Sequence, residues 1–573
     1  MPIARFPSLY SFWITRATPF LVRPLALGGI CIPAIAFVLV LCSYLYWVVS
    51  DVRGPSLVYF FLALTIGLVS KTAATRCVIF FLPLIPTLHE QVALVFPPRV
   101  QFFFSYPGVD VIAGFCFAIL LTQIQDSHNK KVRHSSFNWP IGLLLVILSI
   151  SSCLAIFRNL HHAQVDFSSA SLWMAILQFK IIDRHNVYYP IVDWIVYSMA
   201  GLLIQFLIPI FTQSQQKDDL LFKPLIFSLI ISACLGVFQS LTSIGLPHVI
   251  VVYREEDFGF GAQGFQPDIH SFAGLMLIGT LGLSGYWQNS PLKTRYLIGF
   301  AAVLCWIALY LSKSRASLLI GIVMMVAMVL IHQWKLRKHT TQKKFNPYIV
   351  IGTLIIISLT IFSSRAWLGQ TFDGLAKVNL ADFDTLNLLS RWRLEFFRAA
   401  LLMFEAFPLM GVGQGNLFHL SADITLGKSV LMAHHGGGDA HNYFLQALAE
   451  TGLIGVAAFT CVFIWPYLQI NTRRLLIPCT MAIIAVFLGN IYSHSLIIRD
   501  NLFLLATMIS LLYAHAAANP KTVGAIEGGH GSCYKSLRVL VYICVFFLLA
   551  FFCIKEVTGS FSTPFFAPRL DRP

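Results

Sequence analysis

The sequence predicts an all-α polytopic membrane protein of about 12 to 15 spanning helices, joined on one side by a large extracytoplasmic loop with interfacial helices. Three observations carry this. Of 573 residues, 57% are hydrophobic and 11% are charged, against roughly 25% charged in an average soluble domain. Apolar runs of roughly 17 to 25 residues recur from end to end, each long enough to cross about 30 Å of hydrocarbon. Finally, the Lys and Arg residues between the runs alternate in density, as a positive-inside bias requires.

The runs fall near 27–48, 56–72, 77–96, 109–125, 139–157, 189–213, 222–245, 270–287, 295–312, 316–333, 347–363, 452–470, 475–493, 501–515 and 537–554. They are read as helices because isolated strands leave backbone groups unsatisfied in lipid. His89 and Glu90 interrupt the third. With the N-terminus inside, the cytoplasmic loops carry Lys130, Lys131 and Arg133, then Lys217 and Lys223, then Lys293 and Arg295. The next ones hold Lys335, Arg337, Lys338, Lys343 and Lys344, then Arg473 and Arg474, and finally Lys521, Lys535 and Arg538. The excess of 40 Lys and Arg over 25 Asp and Glu is thereby explained by topology, and no nucleic-acid partner is expected. Most of the 12 cysteines lie in apolar segments and no CxxC occurs, so neither a disulfide framework nor a zinc site is predicted.

The opposite loops are the informative ones. Segment 364–451 is far longer than the other connections, and a long structured loop in a compact protein is usually functional. A second outer segment spans 158–188. Against the positive-inside bias, Arg315, Arg365, Arg391, Arg393, Arg398 and Arg499 all fall on the outer side. A single arginine there can simply snorkel to headgroups. Several on one face form a set of guanidinium forks suited to phosphate oxygens, and a diphosphate at the membrane surface is their natural ligand.

Within the long loop, LSRWRLEFFRAALLMFEAFPLMGVGQGN reads as an interfacial helix. Trp392, Phe396, Ala399 and Met403 repeat at helical spacing on an apolar face, with Arg391, Glu395 and Arg398 on a polar one. Glu395 is read either as neutralising Arg391 or Arg398 or as a catalytic group. Pro408 ends the helix, and Gly411, Gly413 and Gly415 are expected to form a flexible turn. The loop closes with AHHGGGDAHNYFLQALAETGLIGV. His434, His435 and His441 lack an established metal-ligand spacing, and the short DFD at Asp382–Asp384 is ordinary loop polarity. His441 heads the helix entering the membrane, where the dipole favours neutral imidazole, a form able to accept a proton from a sugar hydroxyl.

Taken together, R391-W-R, FPLMGVGQGNLF, DAHNYFLQALAETGLIG and the earlier SKSRASLL resemble the signature of the O-antigen ligase and Wzy polymerase superfamily over roughly residues 310–505. The resemblance implies a metal-independent, inverting membrane glycosyltransferase in the bacterial inner membrane, with its active site on the periplasmic side and no cofactor. It implies as donor an undecaprenyl-diphosphate-linked glycan, and as acceptor lipid A–core or another glycan, with membrane lipids around the protein. His441, Arg391 and Arg315 take the catalytic positions by this likeness; Arg393, Arg398, Arg499 and Asn442 are expected to bind substrate. The implied organisation is an N-terminal transmembrane region (1–269), central helices (270–363), a periplasmic catalytic loop (364–451) and a C-terminal transmembrane region (452–573). O-antigen ligation leads, with polymerase and protein O-oligosaccharyltransferase as alternatives sharing the donor chemistry. A lipid-linked glycan transporter is disfavoured, because the charges gather at one face and no repeated halves are evident.

Overall fold

The computed structural model describes residues 31–51, 53–54, 57–88, 91, 107–128, 138–162, 181, 184, 186–246, 261–287, 290–339, 387, 393–422, 434, 437–469, 478–491, 496 and 498–517. Among these, helix is the only regular structure. In chain order the helices are α1 (Cys31–Ser50), α2 (Leu57–Val69), α3 (Lys71–Phe81), α4 (Pro107–His128), α5 (Trp139–His162), α6 (Tyr189–Gln213) and α7 (Lys217–Thr242). Then follow α8 (Ile269–Trp287, with a π turn at Ile278–Gly282), α9 (Leu292–Leu311), α10 (Arg315–His339), α11 (Arg393–Ala406) and the short α12 (Leu417–Ser421). The last three are α13 (Tyr443–Gln469), α14 (Pro478–Asn490) and α15 (Arg499–Ala517).

Seven of these, α5 to α9, α13 and α15, are long and apolar enough to cross a membrane, and five shorter apolar helices accompany them. Several hydroxyl residues in them spend a hydrogen bond on the preceding turn, as Thr212 does on the Ile208 carbonyl and Ser510 on that of Ala506. A polar side chain so satisfied costs little in hydrocarbon. Small residues allow close packing. A Cβ at Gly114 of α4 would stand 2.1 Å from the Phe60 carbonyl oxygen of α2. Helices α6, α8 and α15 are the most enclosed, and α9 leaves most of its surface outward.

Two of the predicted spans change shape. The run at 77–96 is not one helix: α3 ends at Phe81 and the chain turns through Pro83, since proline cannot continue the hydrogen-bond ladder. Helix α13 starts at Tyr443, next to the helix start expected at His441, and Gly452 breaks it with φ +63° and ψ −167° where the apolar span begins. The predicted spans at 347–363 and 537–554 lie outside the described residues.

Polar side chains sort to the two ends of the bundle. At one end, His515 of α15 meets Asp218 of α7 at 2.7 Å, and Asp219 pairs with Lys223 at 2.6 Å. The other end gathers the starts of α4, α6, α8, α10, α13 and α15. There Arg53 pairs with buried Asp110 at 3.0 Å, and Asn501 donates to Gln266 at 2.9 Å.

Candidate functional site

A small apolar core sits apart from the main one at this end. It joins Ala400, Met403 and Phe407 of α11 and its exit, Val412, Leu417 and Leu420, Ala440, and Ala449 of α13. Burial of Ala399 and Met403 agrees with the apolar face that helical spacing predicts. The core therefore ties α11 to the strand of chain that carries His441. Asn387 fastens the start of α11: its Oδ1 accepts from the Glu395 amide at 3.0 Å and its Nδ2 donates to Glu395 Oε2 at 3.3 Å. The Glu395 carboxylate is thus engaged with Asn387.

His441 follows fully buried Ala440 and takes φ +51°, a left-handed conformation rare for a non-glycine residue. Its ring stacks on Phe396 of α11, with centroids 5.0 Å apart and planes at 25°. Next to it, Asn442 caps α13: Oδ1 accepts from the amides of Phe444 at 3.0 Å and Leu445 at 3.1 Å. That carbonyl is committed to the helix start, which limits the part Asn442 can play toward a substrate. Two residues before His441, both carboxylate oxygens of Asp439 accept from Arg184 Nη1, at 2.9 Å each. Arg184 also lies 4.8 Å over the Phe418 ring. Burial works against the Arg184 charge, but the Asp439 carboxylate more than offsets it and raises the guanidinium above its ordinary value.

One turn before Phe396 on α11, Arg393 reaches across to α8, where its Nη2 stands 3.1 Å from His270 Nε2. The other ring nitrogen of His270 lies 3.0 Å from Ser314 Oγ, and Ser314 Oγ lies 2.9 Å from Ser317 Oγ. Ser314 immediately precedes Arg315, which starts α10 and is exposed. Two cationic residues and His441 are thereby linked through Phe396, His270 and Ser314. Arg398 is exposed on α11. The Arg499 guanidinium lies 5.2 Å from the Trp47 ring, which also carries Arg53 at 4.5 Å. Arg365, Arg391, Trp392, His435 and the Asp382–Asp384 stretch lie outside the described residues, and His434 is exposed.

The glycine turn differs from the expectation of flexibility. Gly411, Val412, Gly413, Gln414, Gly415 and Asn416 are all buried. The turn lies in the break of α13, with Val412 N bonded to Ala449 O at 2.8 Å, Gly413 N to Glu450 O at 2.9 Å, and Leu453 N to Pro408 O at 2.9 Å. Helix α5 grips its other side: Gln414 N donates to Ser151 Oγ at 3.0 Å, and Asn159 Nδ2 to Asn416 Oδ1 at 2.8 Å. Glycine is required by close approach. A Cβ on Gly413 would meet Ala155 at 2.5 Å, and one on Gly452 would meet the Leu409 carbonyl oxygen at 2.0 Å.

His270 and Arg184 are the residues that sequence reasoning missed. The one available signal for His270 was its place in PDIHSF at the outer start of a span. Arg184 lay in the second outer segment without a pattern around it.

This fold and site define a multi-pass helical membrane protein with arginine and imidazole groups gathered at one end. Residues 300–460 match the family model described as O-antigen ligase, and over that segment the match supports the O-antigen ligase superfamily. The match supports a membrane glycosyltransferase of the O-antigen ligase and polymerase type, acting on a lipid-linked glycan donor and a glycan acceptor. No curated protein matches the chain.

Proposed function

We propose that the protein transfers a glycan from undecaprenyl diphosphate to an acceptor hydroxyl at the periplasmic face of the inner membrane, as an O-antigen ligase acting on lipid A–core. The observation that carries this reading is the convergence of His441, Arg393 and Arg315 at one end of the bundle through Phe396, His270 and Ser314. Cleavage of the sugar–phosphate bond leaves negative charge on the diphosphate oxygens. Guanidinium groups placed there stabilise the transition state more than the ground state, because the charge grows as the bond breaks. Arg315, Arg391 and Arg393 are assigned this part. His441 takes the proton of the acceptor hydroxyl as that oxygen attacks the anomeric carbon from the face opposite the diphosphate, and the configuration inverts.

The leaving-group charge is carried by arginine in this scheme, so reconstituted enzyme is expected to work in excess chelator. The deciding experiment is the glycan phenotype of a deletion strain. Lipid-linked polymer accumulating beside unmodified lipid A–core identifies a ligase. Lipopolysaccharide bearing a single repeat identifies a polymerase instead, and an unchanged glycan profile overturns both.

A further inference from the structure

We propose that His270 is a positioning residue: its neutral ring, tethered by Ser314, supplies the acceptor that aims the Arg393 guanidinium at the donor diphosphate. The inference rests on the transfer reading above and adds to it a residue outside the segment that matches the family model.

The direction of the hydrogen bonds follows from chemistry. A guanidinium has only N–H donors. For Arg393 Nη2 to bond His270 Nε2 at 3.1 Å, that nitrogen must present a lone pair. A neutral ring with a bare Nε2 carries its proton on Nδ1, so Nδ1–H donates to Ser314 Oγ at 3.0 Å. The Ser314 hydroxyl is then free to donate onward to Ser317 Oγ at 2.9 Å. An imidazolium has no acceptor at all and is incompatible with this arrangement.

The ring is well held for such a task. Asp268 caps α8, its Oδ1 accepting from the amides of His270 at 2.8 Å and Ser271 at 3.0 Å. The backbone of His270 is therefore fixed in the first turn, where the positive end of the helix dipole favours the neutral ring. Ser314 is buried, and its amide is held by Ser312 Oγ at 3.3 Å. The serines of SKSRAS thus acquire a use beyond forming a turn: they set the tautomer of a histidine on a neighbouring helix. Arg393 lies one turn from Phe396, whose ring carries His441. An arginine swung away from His270 would lose its register with that histidine.

The test uses two amides of different reach, in full-length protein reconstituted in nanodiscs, with undecaprenyl diphosphate as the probe. Glutamine in His270→Gln places an amide near the position of Nε2, where its oxygen can accept from Arg393. Asparagine in His270→Asn places one near Nδ1, keeping contact with Ser314 alone. We expect His270→Asn to weaken binding of the probe about tenfold and His270→Gln to stay within about threefold of wild type, at unchanged melting temperature. Adding Arg393→Ala to His270→Asn should bring the loss to that of Arg393→Ala alone. Nitrogen-15 spectra of histidine-labelled protein should show His270 with a bare Nε2, shifted by Arg393→Ala. Equal losses with Asn and Gln, additive losses with Arg393→Ala, or a protonated Nε2 overturns the role of His270. Wild-type protein that binds no undecaprenyl diphosphate overturns the transfer reading, and the aim of Arg393 with it.

Discussion

Two stretches of the long loop look equally rich in signal as sequence, and their surroundings part them. The turn Gly411–Gly415 is buried throughout, and its amides are committed to Ser151, Ala449 and Glu450. The rim formed by Arg393, Phe396 and His441 is only half-buried, and Arg315 beside it is exposed. The first has its polar groups spent on the scaffold. The second holds charges and a ring fixed by packing while keeping surface toward the outside, as a site for a polar ligand requires. A glycine cluster thus marks where backbones touch, and the proposed site lies on the rim rather than in the turn.

The sharpest way to break that comparison is one substitution in the α13 break that receives the turn and one on the rim. Gly452→Val sets a β-branched side chain at φ +63° and drives its Cβ toward a carbonyl oxygen 2.0 Å away. The strain and the clash together are expected to cost more than about 4 kcal/mol, so no monodisperse protein should survive detergent extraction and size-exclusion chromatography. His441→Asn is the matching test on the rim, because asparagine tolerates the left-handed backbone that His441 adopts at φ +51°. Its melting temperature should stay near wild type while glycan transfer in reconstituted membranes falls about 10²- to 10⁴-fold. A stable, active Gly452→Val protein, or an unfolded His441→Asn one, would exchange the roles of the two stretches.

How much of this was legible beforehand depends on how local the determinant was. The spans near 139–157, 189–213 and 501–515 need only their own apolar runs, and α5, α6 and α15 cover them. The start of α13 was legible at His441, but its break at Gly452 was hidden, because it is set by packing on the glycine turn. His441, Arg315 and Arg393 stood out as charged or titratable groups at the outer ends of spans, and the structure brings them to one region. His270 did not, since its meaning comes from an arginine 123 positions away. The same holds for Arg184 and Asp439, separated by 255 positions. Pairings of that range leave no periodicity to read.

The Arg184–Asp439 contact carries the next largest effect and sharpens the comparison on the rim. It fixes the chain two residues before His441, so it should tune catalysis with little effect on the buried turn. Arg184→Asp puts two carboxylates where an ion pair stood, and transfer is expected to fall about 10- to 100-fold. The exchanged pair Arg184→Asp with Asp439→Arg should recover part of that loss. If the exchange recovers nothing while both proteins melt like wild type, the pair does not hold His441 through its charge. Arg315→Ala should fall in the same range, with Arg315→Lys recovering part, because an ammonium offers charge without the planar fork.

The smallest effect belongs to Arg398, and its size tells which face of α11 meets the donor. Arg393 and Arg398 are five positions apart, which at 3.6 residues per turn sets them about 140° apart around the helix. With Arg393 directed at His270 of α8, Arg398 is turned toward a different side, and it is exposed. A long cationic side chain there suits the headgroup region, with its stem along apolar surface. Arg398→Ala is therefore expected to change transfer by less than about threefold, the range of an exposed charge. Arg393→Ala, measured beside it in the same membranes, should lose about tenfold or more. Should the two losses be equal, α11 presents both sides to the lipid-linked donor, and the diphosphate lies along the helix rather than between α8 and α11.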